Sequence, residues 1–355
     1  MKKKCIAAVT VSLVTLLVLA ALTRLVMPKY MGSETEGALI AEYYDETTDH
    51  QVIFIGDCEI YENISPISIW LESGVTSFLR GCPQQTIWQS YYLLEETLNT
   101  ETPDVVVFNV LSMKYDTPES TGAAEQREAY NRIALDGMRW SASKWNSILA
   151  SMLDSESMLD YLFPLLRYHS RITELSSDDF TYFWSTDSVS YSGYYMRVDT
   201  LPTTEAQVSA KYASQIEPSS YEFGESSWLY LEKMRELCEE KGVTLILMKA
   251  PSVSEIWYDE WDTQIADYAA AHGLAYFNFL TMSDETGVDL YNDTYDGGLH
   301  LNCTGAEKMG TWFGRYFAEL GLEDRRDIEP YATVWAEKTE IYDQAKAAQY
   351  AALSE

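Results

Sequence analysis

Val52-Ile-Phe-Ile-Gly-Asp-Cys58 is an unbroken run of large apolar residues that stops at a glycine and ends in an acid and a thiol. A strand with one solvated face alternates polar and apolar residues. A run without alternation, ended by a turn residue, is a strand buried on both faces. Working outward, Pro103 and Asp104 introduce a second such run, Val105–Val110. Val75–Leu79, Val243–Met248 and Ala275–Phe279 read the same way. Amphipathic helices fall between these runs. Gln84–Leu98 repeats Ile87, Tyr91, Leu94 and Leu98, and Ser226–Lys241 carries the stripe Trp228, Leu231, Met234 and Cys238 until Gly242 stops it. Glu255–His272 aligns Trp257, Trp261, Ile265 and Tyr268 ahead of Gly273. Buried strands alternating with helices predict an α/β fold with a parallel sheet covered on both faces. A last helix opens with Thr304-Gly-Ala-Glu307, read as a capping box, and carries Met309, Trp312, Phe313, Tyr316 and Phe317.

The alternation lapses between Lys114 and Glu225, where charged helical stretches and tyrosine-rich segments such as Tyr191–Tyr195 replace the buried runs. About 114–225 is therefore expected to be a mainly helical insertion over the ligand edge of the sheet. Lys2, Lys3 and Lys4 precede a charge-free run from Cys5 to Thr23, closed by Arg24 and Lys29. Nineteen residues at about 1.5 Å each nearly span a hydrocarbon core of about 30 Å. A cleaved signal peptide begins with the same charge pattern, but this run exceeds a signal core and no small-x-small site follows it. Residues 1–30 are read as a cytoplasmic tip and transmembrane anchor, with the N-terminal lysines on the cytoplasmic side and the body outside. Residues 31–50 read as a linker, 51–325 as the α/β domain with its insertion, and 326–355 as a polar helical tail. All 55 acidic residues follow Tyr30, against 20 of the 25 basic ones, and such a surface repels nucleic acid. Cys58, Cys82, Cys238 and Cys303 show no disulfide-framework spacing and no CxxC pair, and with four histidines in all a metal site is not expected.

Chemistry concentrates where strands end. Open parallel sheets bind ligands outside the carboxyl ends of their strands. Cys58 follows the first strand as a nucleophile, and the amides beyond Gly56 are placed for a developing oxyanion. Gly81, after the second strand, would add a backbone donor, and Asn109, at the end of the third, a side-chain N–H. His300 stands just before the last helix as the base, with Asp296 to orient it. An imidazolium at His300 is expected to lower the Cys58 thiol pKa below its ordinary value of about 8.5. Arg167, His169 and Arg171 concentrate positive charge within the insertion and are candidates for clamping a substrate carboxylate or phosphate, although ion pairs with the many acids suit them equally. His272, at a helix C-terminus, reads as structural, and His50 as a surface residue. Cys58, Cys82 and Cys303 are expected near one sheet edge, where a disulfide would brace or block the site.

The ordered set Val52-Ile-Phe-Ile-Gly-Asp-Cys-Glu59, Gly81, Asn109 and His300-Leu-Asn-Cys-Thr-Gly305-Ala-Glu-Lys308 resembles the SGNH/GDSL hydrolase superfamily over about 50–113 and 226–321. With its single N-terminal anchor and Glu59, the chain looks like the branch of DltD-type proteins and cell-surface polysaccharide O-acetyltransferases. The resemblance implies a flavodoxin-like three-layer α/β/α fold with a central parallel sheet. It also implies a nucleophile at Cys58, a base at His300, and oxyanion donors at Cys58, Gly81 and Asn109. No cofactor is implied. The expected substrate is an ester of an acylated cell-envelope polysaccharide, hydrolysed or transferred, with a membrane acyltransferase as possible partner. The chain departs from the family in carrying Cys for Ser. It has three residues rather than two between Asp and His, and it lacks the glycine and aspartate that flank the family's asparagine. The competing expectation is a catalytically inactive protein of this fold that binds envelope glycan or a partner acyltransferase, using aromatic faces among the 26 tyrosines.

Overall fold

A computed structural model describes residues 2–29, 39–185 and 188–354. Its first helix, α1 (Lys2–Val26), is long and apolar enough to cross a membrane. Five strands form one all-parallel sheet: β1 (Val52–Gly56), β2 (Ser77–Gly81), β3 (Val105–Asn109), β4 (Thr244–Lys249) and β5 (Ala275–Asn278). They lie in the order β2-β1-β3-β4-β5, with Val52 beside Ser77 on one side and Val105 on the other. Parallel neighbours require crossovers, and helices supply them: α2 (Cys58–Tyr61) and α3 (Pro66–Ser73) between β1 and β2, α4 (Ile87–Leu98) between β2 and β3. Beyond the insertion come α5 (Glu225–Lys241), α6 (Asp259–His272), α7 (Cys303–Leu320) and α8 (Tyr331–Ala352).

Successive strand residues alternate between two cores, because side chains on a strand point to opposite faces. Ile53, Ile55, Val106, Phe108, Leu245 and Leu247 pack with residues of α4, α5 and α6. Val52, Phe54, Val105, Val107, Ile246 and Met248 pack with α3, α7 and α8, where the Phe54 ring meets Phe313 edge-on at 4.9 Å. Each large apolar side chain removed from water in these cores contributes about 1.5–3 kcal/mol.

Some local expectations change. Helix α7 is capped by Asn302, whose side chain accepts the Gly305 N–H, while Glu307 turns outward to Lys346 and the Tyr342 hydroxyl. A nearby cation outcompetes a capping box for that carboxylate. Residues 331–352 form a docked helix: Trp335 is fully buried and stacks on Trp70 at 5.2 Å. His50 is buried, not a surface residue, because Glu46 and Glu101 bond its two ring nitrogens. Within the stretch read as a linker, 39–50 holds the short helix Leu39–Glu42, whose Leu39 and Ile40 are buried; 31–38 lies outside the described residues.

The insertion is helical, with Ala124–Asp136 and Ala142–Ser151 its longest segments, followed by Met158–Leu162 and Pro164–Tyr168. Its irregular part reaches the sheet edge. Leu79 N–H donates to Ser192 O, Tyr195 N–H to Tyr61 O, and Cys303 N–H to Arg197 O, so one strap ties β2, α2 and the start of α7. Tyr194 is buried in this strap and Tyr191 packs edge-on against Tyr342. All five cysteines are free, with Cys82 in one core and Cys303 in the other. The sheet separates these two thiols.

Candidate active site

Gly56 ends β1 where the chain passes closest to its neighbours. A Cβ there would lie 2.8 Å from Cγ1 of Ile60 and 3.0 Å from Cβ of Asn109, so the turn into α2 needs glycine. Asp57 caps α2: its Oδ1 accepts the Glu59 N–H at 3.2 Å. Cys58 then opens the helix, where the first amides have no intrahelical acceptor. Its side chain is partly exposed and lines a cleft of about 260 Å³ that also takes in Glu62, Lys114, Tyr295, Asp296 and His300.

The turn between Asp296 and His300 is made by Gly297 and Gly298, both left-handed at φ 80° and 92°. The turn lets Asp296 reach forward. Its Oδ2 bonds Nδ1 of His300 at 2.7 Å, and its Oδ1 accepts the His300 N–H at 2.8 Å. Ser254, in the loop after β4, holds this turn by donating its N–H to Gly298 O and its hydroxyl to Gly297 O. Asp293, the other acid near the turn, is engaged by Lys308 at 2.6 Å.

With Nδ1 committed to Asp296, Nε2 of His300 is the nitrogen left for the thiol. It is buried, and Cys58 interacts with the ring, but Nε2 makes no hydrogen bond of good geometry. The electrostatics run against the sequence expectation. Burial pushes the Cys58 thiol up to about 11; His300 pulls it down, but Asp57 and Glu62 push it further up. Burial also works against a charged His300 ring, yet Cys58, Asp296 and Glu62 outweigh it and hold the imidazole pKa well above 6.5.

Behind the cleft lies a buried polar network that sequence reading missed. Glu59 and Lys249, both fully buried, pair at 2.8 Å. Asn109 donates both amide hydrogens inward, to Asp57 at 3.1 Å and Glu59 at 2.9 Å, and its Oδ1 accepts the Ala250 N–H. Asn109 thus sits at the expected strand end but is turned towards carboxylates, outside the wall of the cleft. Gly81 also lies outside that wall; it pairs with Gly56 across the sheet, and Pro83 and Gln84 border the cleft beyond it. Burial, with Glu59 nearby, raises the Asp57 carboxyl to about 7 against the partial relief of Lys114 and Lys249. Lys249 at the end of an apolar strand was the available signal, since a lysine there needs a buried partner.

Other missed residues frame the cleft. Lys114 pairs with Glu255 at 2.6 Å. The Tyr295 hydroxyl bonds Glu62, and its ring stacks beside His300. Gln84, at φ 52°, holds a left-handed backbone at the cleft edge. Arg167, His169 and Arg171 lie elsewhere. Arg167 pairs with Glu128, His169 Nδ1 bonds Leu166 O, and Arg171 donates to Val26 O and Asp179 at the foot of α1. Among the described residues, no group of three or more His, Cys, Asp or Glu side chains is placed to hold a metal ion. No family model, no curated protein and no solved structure matches this chain.

Proposed function

We propose that this chain is an SGNH-like esterase or acyltransferase on a flavodoxin-like frame, held at the cell membrane by α1 with its main domain outside the cytoplasm. The observation that carries the reading is the Asp296–His300 bond of 2.7 Å, with Cys58 lining the same cleft and interacting with the His300 ring. Strand order supports the frame, since β2-β1-β3-β4-β5 is the doubly wound order with its switch point beside β1, where Cys58 stands.

Cys58 Sγ attacks the ester carbonyl carbon while His300 Nε2 takes the thiol proton. The oxyanion is met by the Cys58 N–H at the start of α2. Collapse expels the alkoxide, which leaves with the proton from His300, and the acyl group stays as a thioester. Water or an acceptor hydroxyl then attacks, losing its proton to His300, and the thiol is regenerated. Because its neighbours raise the His300 pKa, turnover rises with pH as the ring loses its proton and becomes free to act as a base. The proposed substrate is an ester of a cell-envelope polysaccharide, with a membrane acyltransferase as acyl donor or partner. Retention of α1 is supported at its foot: Arg24 donates to Phe183 O and Ser185 O, Arg171 to Val26 O, and Lys29 is buried beside Asp179. Cleavage after the apolar run would strand these partners.

A second reading, a non-catalytic glycan- or partner-binding protein, is favoured by the Asn109 amide turned to Asp57 and Glu59. Fluorophosphonate and chloroacetamide probes, with Cys58→Ala and His300→Ala controls, separate the two readings. Labelling lost in Cys58→Ala and reduced in His300→Ala supports chemistry. Labelling indifferent to His300, with no ester turnover, supports binding.

A further inference from the structure

Beside α1 the insertion presents an apolar face that its own fold leaves open. Leu159, Leu162, Phe163 and Leu166 are 55, 39, 58 and 54% exposed. They lie in and between the two short helices Met158–Leu162 and Pro164–Tyr168, the second of which packs against α1. Together with Leu16 and Leu19 of α1 they line one apolar groove of about 810 Å³. Phe180 (61%) and Trp184 (89%) lie in the segment that also borders the foot of α1, where Arg24 is bonded to Phe183 O and Ser185 O.

Register along α1 gives this face a depth. The charge-free run ends at Thr23, so Leu19 and Leu16 lie about 6 and 10 Å inside it at 1.5 Å per residue. Side chains sharing a groove with those leucines reach the same depth. That is the roughly 5–10 Å over which interfacial helices sink their apolar side. The hydrogen bonds from Arg24 and Arg171 fix the insertion to the helix, so if α1 spans a bilayer, Leu159–Leu166 enters the lipid with it.

We infer that residues 158–168 form a second membrane contact, seated in the acyl region of the leaflet against α1. The inference rests on the proposed anchoring role of α1. Its occupant is lipid, because the groove is continuous with α1 side chains that are exposed all round the helix and that a bilayer alone would cover on every side. The seat makes the main domain a rigid body on the membrane surface, whereas a bare single helix would leave it to swivel.

The test uses the full chain in phosphatidylcholine vesicles doped with a phospholipid carrying a diazirine midway along one acyl chain. After photolysis, adducts are mapped by mass spectrometry. Adducts on α1 and on 159–166 are expected. Adducts on α1 alone overturn the seat and leave the anchor standing; none on α1 overturns both. Loss of the 159–166 adducts as the chain-to-lipid ratio is raised, with those on α1 unchanged, also overturns it, by making the face a dimer contact. In Leu162→Glu/Phe163→Glu, adducts on 159–166 should fall at least tenfold while those on α1 persist and the circular dichroism spectrum is unchanged.

Discussion

Burial raises the Cys58 thiol pKa most, Asp57 and Glu62 add to it and His300 opposes them, and the thiol's reactivity follows from that balance. With the thiol pushed up to about 11, alkylation by iodoacetamide should be slow at pH 7 and climb towards pH 11. His300 is the neighbour that pulls this pKa down, so His300→Ala should raise it further and slow the reaction at every pH below that point. Rapid alkylation near pH 7, unaltered in His300→Ala, would dismiss this account of the pair. Cys58→Ser should keep ester turnover, and Cys58→Ala should lower it by roughly two orders of magnitude or more. Asp57 gives a separate prediction through stability. Its carboxyl moves from 3.8 to about 7 on folding, so between those values the native state holds a proton that the unfolded chain has lost. The contribution is fully present below pH 3.8, fades as pH rises to about 7, and is absent above. Asp57→Asn should therefore melt higher than the parent at pH 8, with the difference closing towards pH 4. Thermal unfolding followed by circular dichroism at both pH values checks it.

At the scale of elements, the turn before α7 decides whether acid and base meet. Gly298 is the tightest point: at φ 92°, an added Cβ would come within 2.8 Å of both Thr203 and Val253. Gly298→Ala should cost about 1–2 kcal/mol from backbone strain alone and more from those contacts. It should also pull Asp296 off His300. Proton NMR would report the loss of the Asp296–His300 bond as disappearance of a downfield Nδ1–H resonance. An unshifted resonance in a folded variant would show that the turn does not set the pair. Gly297, with open space around its Cβ position, should tolerate alanine better.

At the scale of the whole molecule, β1, α7 and α8 share one core through Phe54, Phe313 and Trp335. Trp335 is fully buried and stacks on Trp70, so the C-terminal segment is part of the cooperative fold. Trp335→Ala should destabilise the chain by roughly 3–5 kcal/mol. Because α8 also holds Glu307 through Lys346 and Tyr342, denaturant curves read from Trp fluorescence and from ellipticity should shift together. A shift confined to ellipticity would make α8 an independent appendage.

The buried runs Val52–Ile55, Val105–Phe108 and Leu245–Met248 determined a parallel α/β sheet by themselves, since only burial on both faces tolerates such segments. The order of Cys58, Asp296 and His300 along the chain was legible for a related reason: strand ends and helix starts are local features, and their turn residues are written beside them. Tertiary structure alone decided what those side chains face. Whether a thiol is raised or lowered depends on Asp57, Glu62 and His300 converging from two separate stretches of chain. The turning of Asn109 towards Asp57 and Glu59 depends on Lys249 arriving from the next strand to hold Glu59. Arg171 left the cleft for the same reason, finding Val26 O and Asp179 at the foot of α1. Charge and burial are sums over neighbours in space, and those neighbours are brought together by the fold.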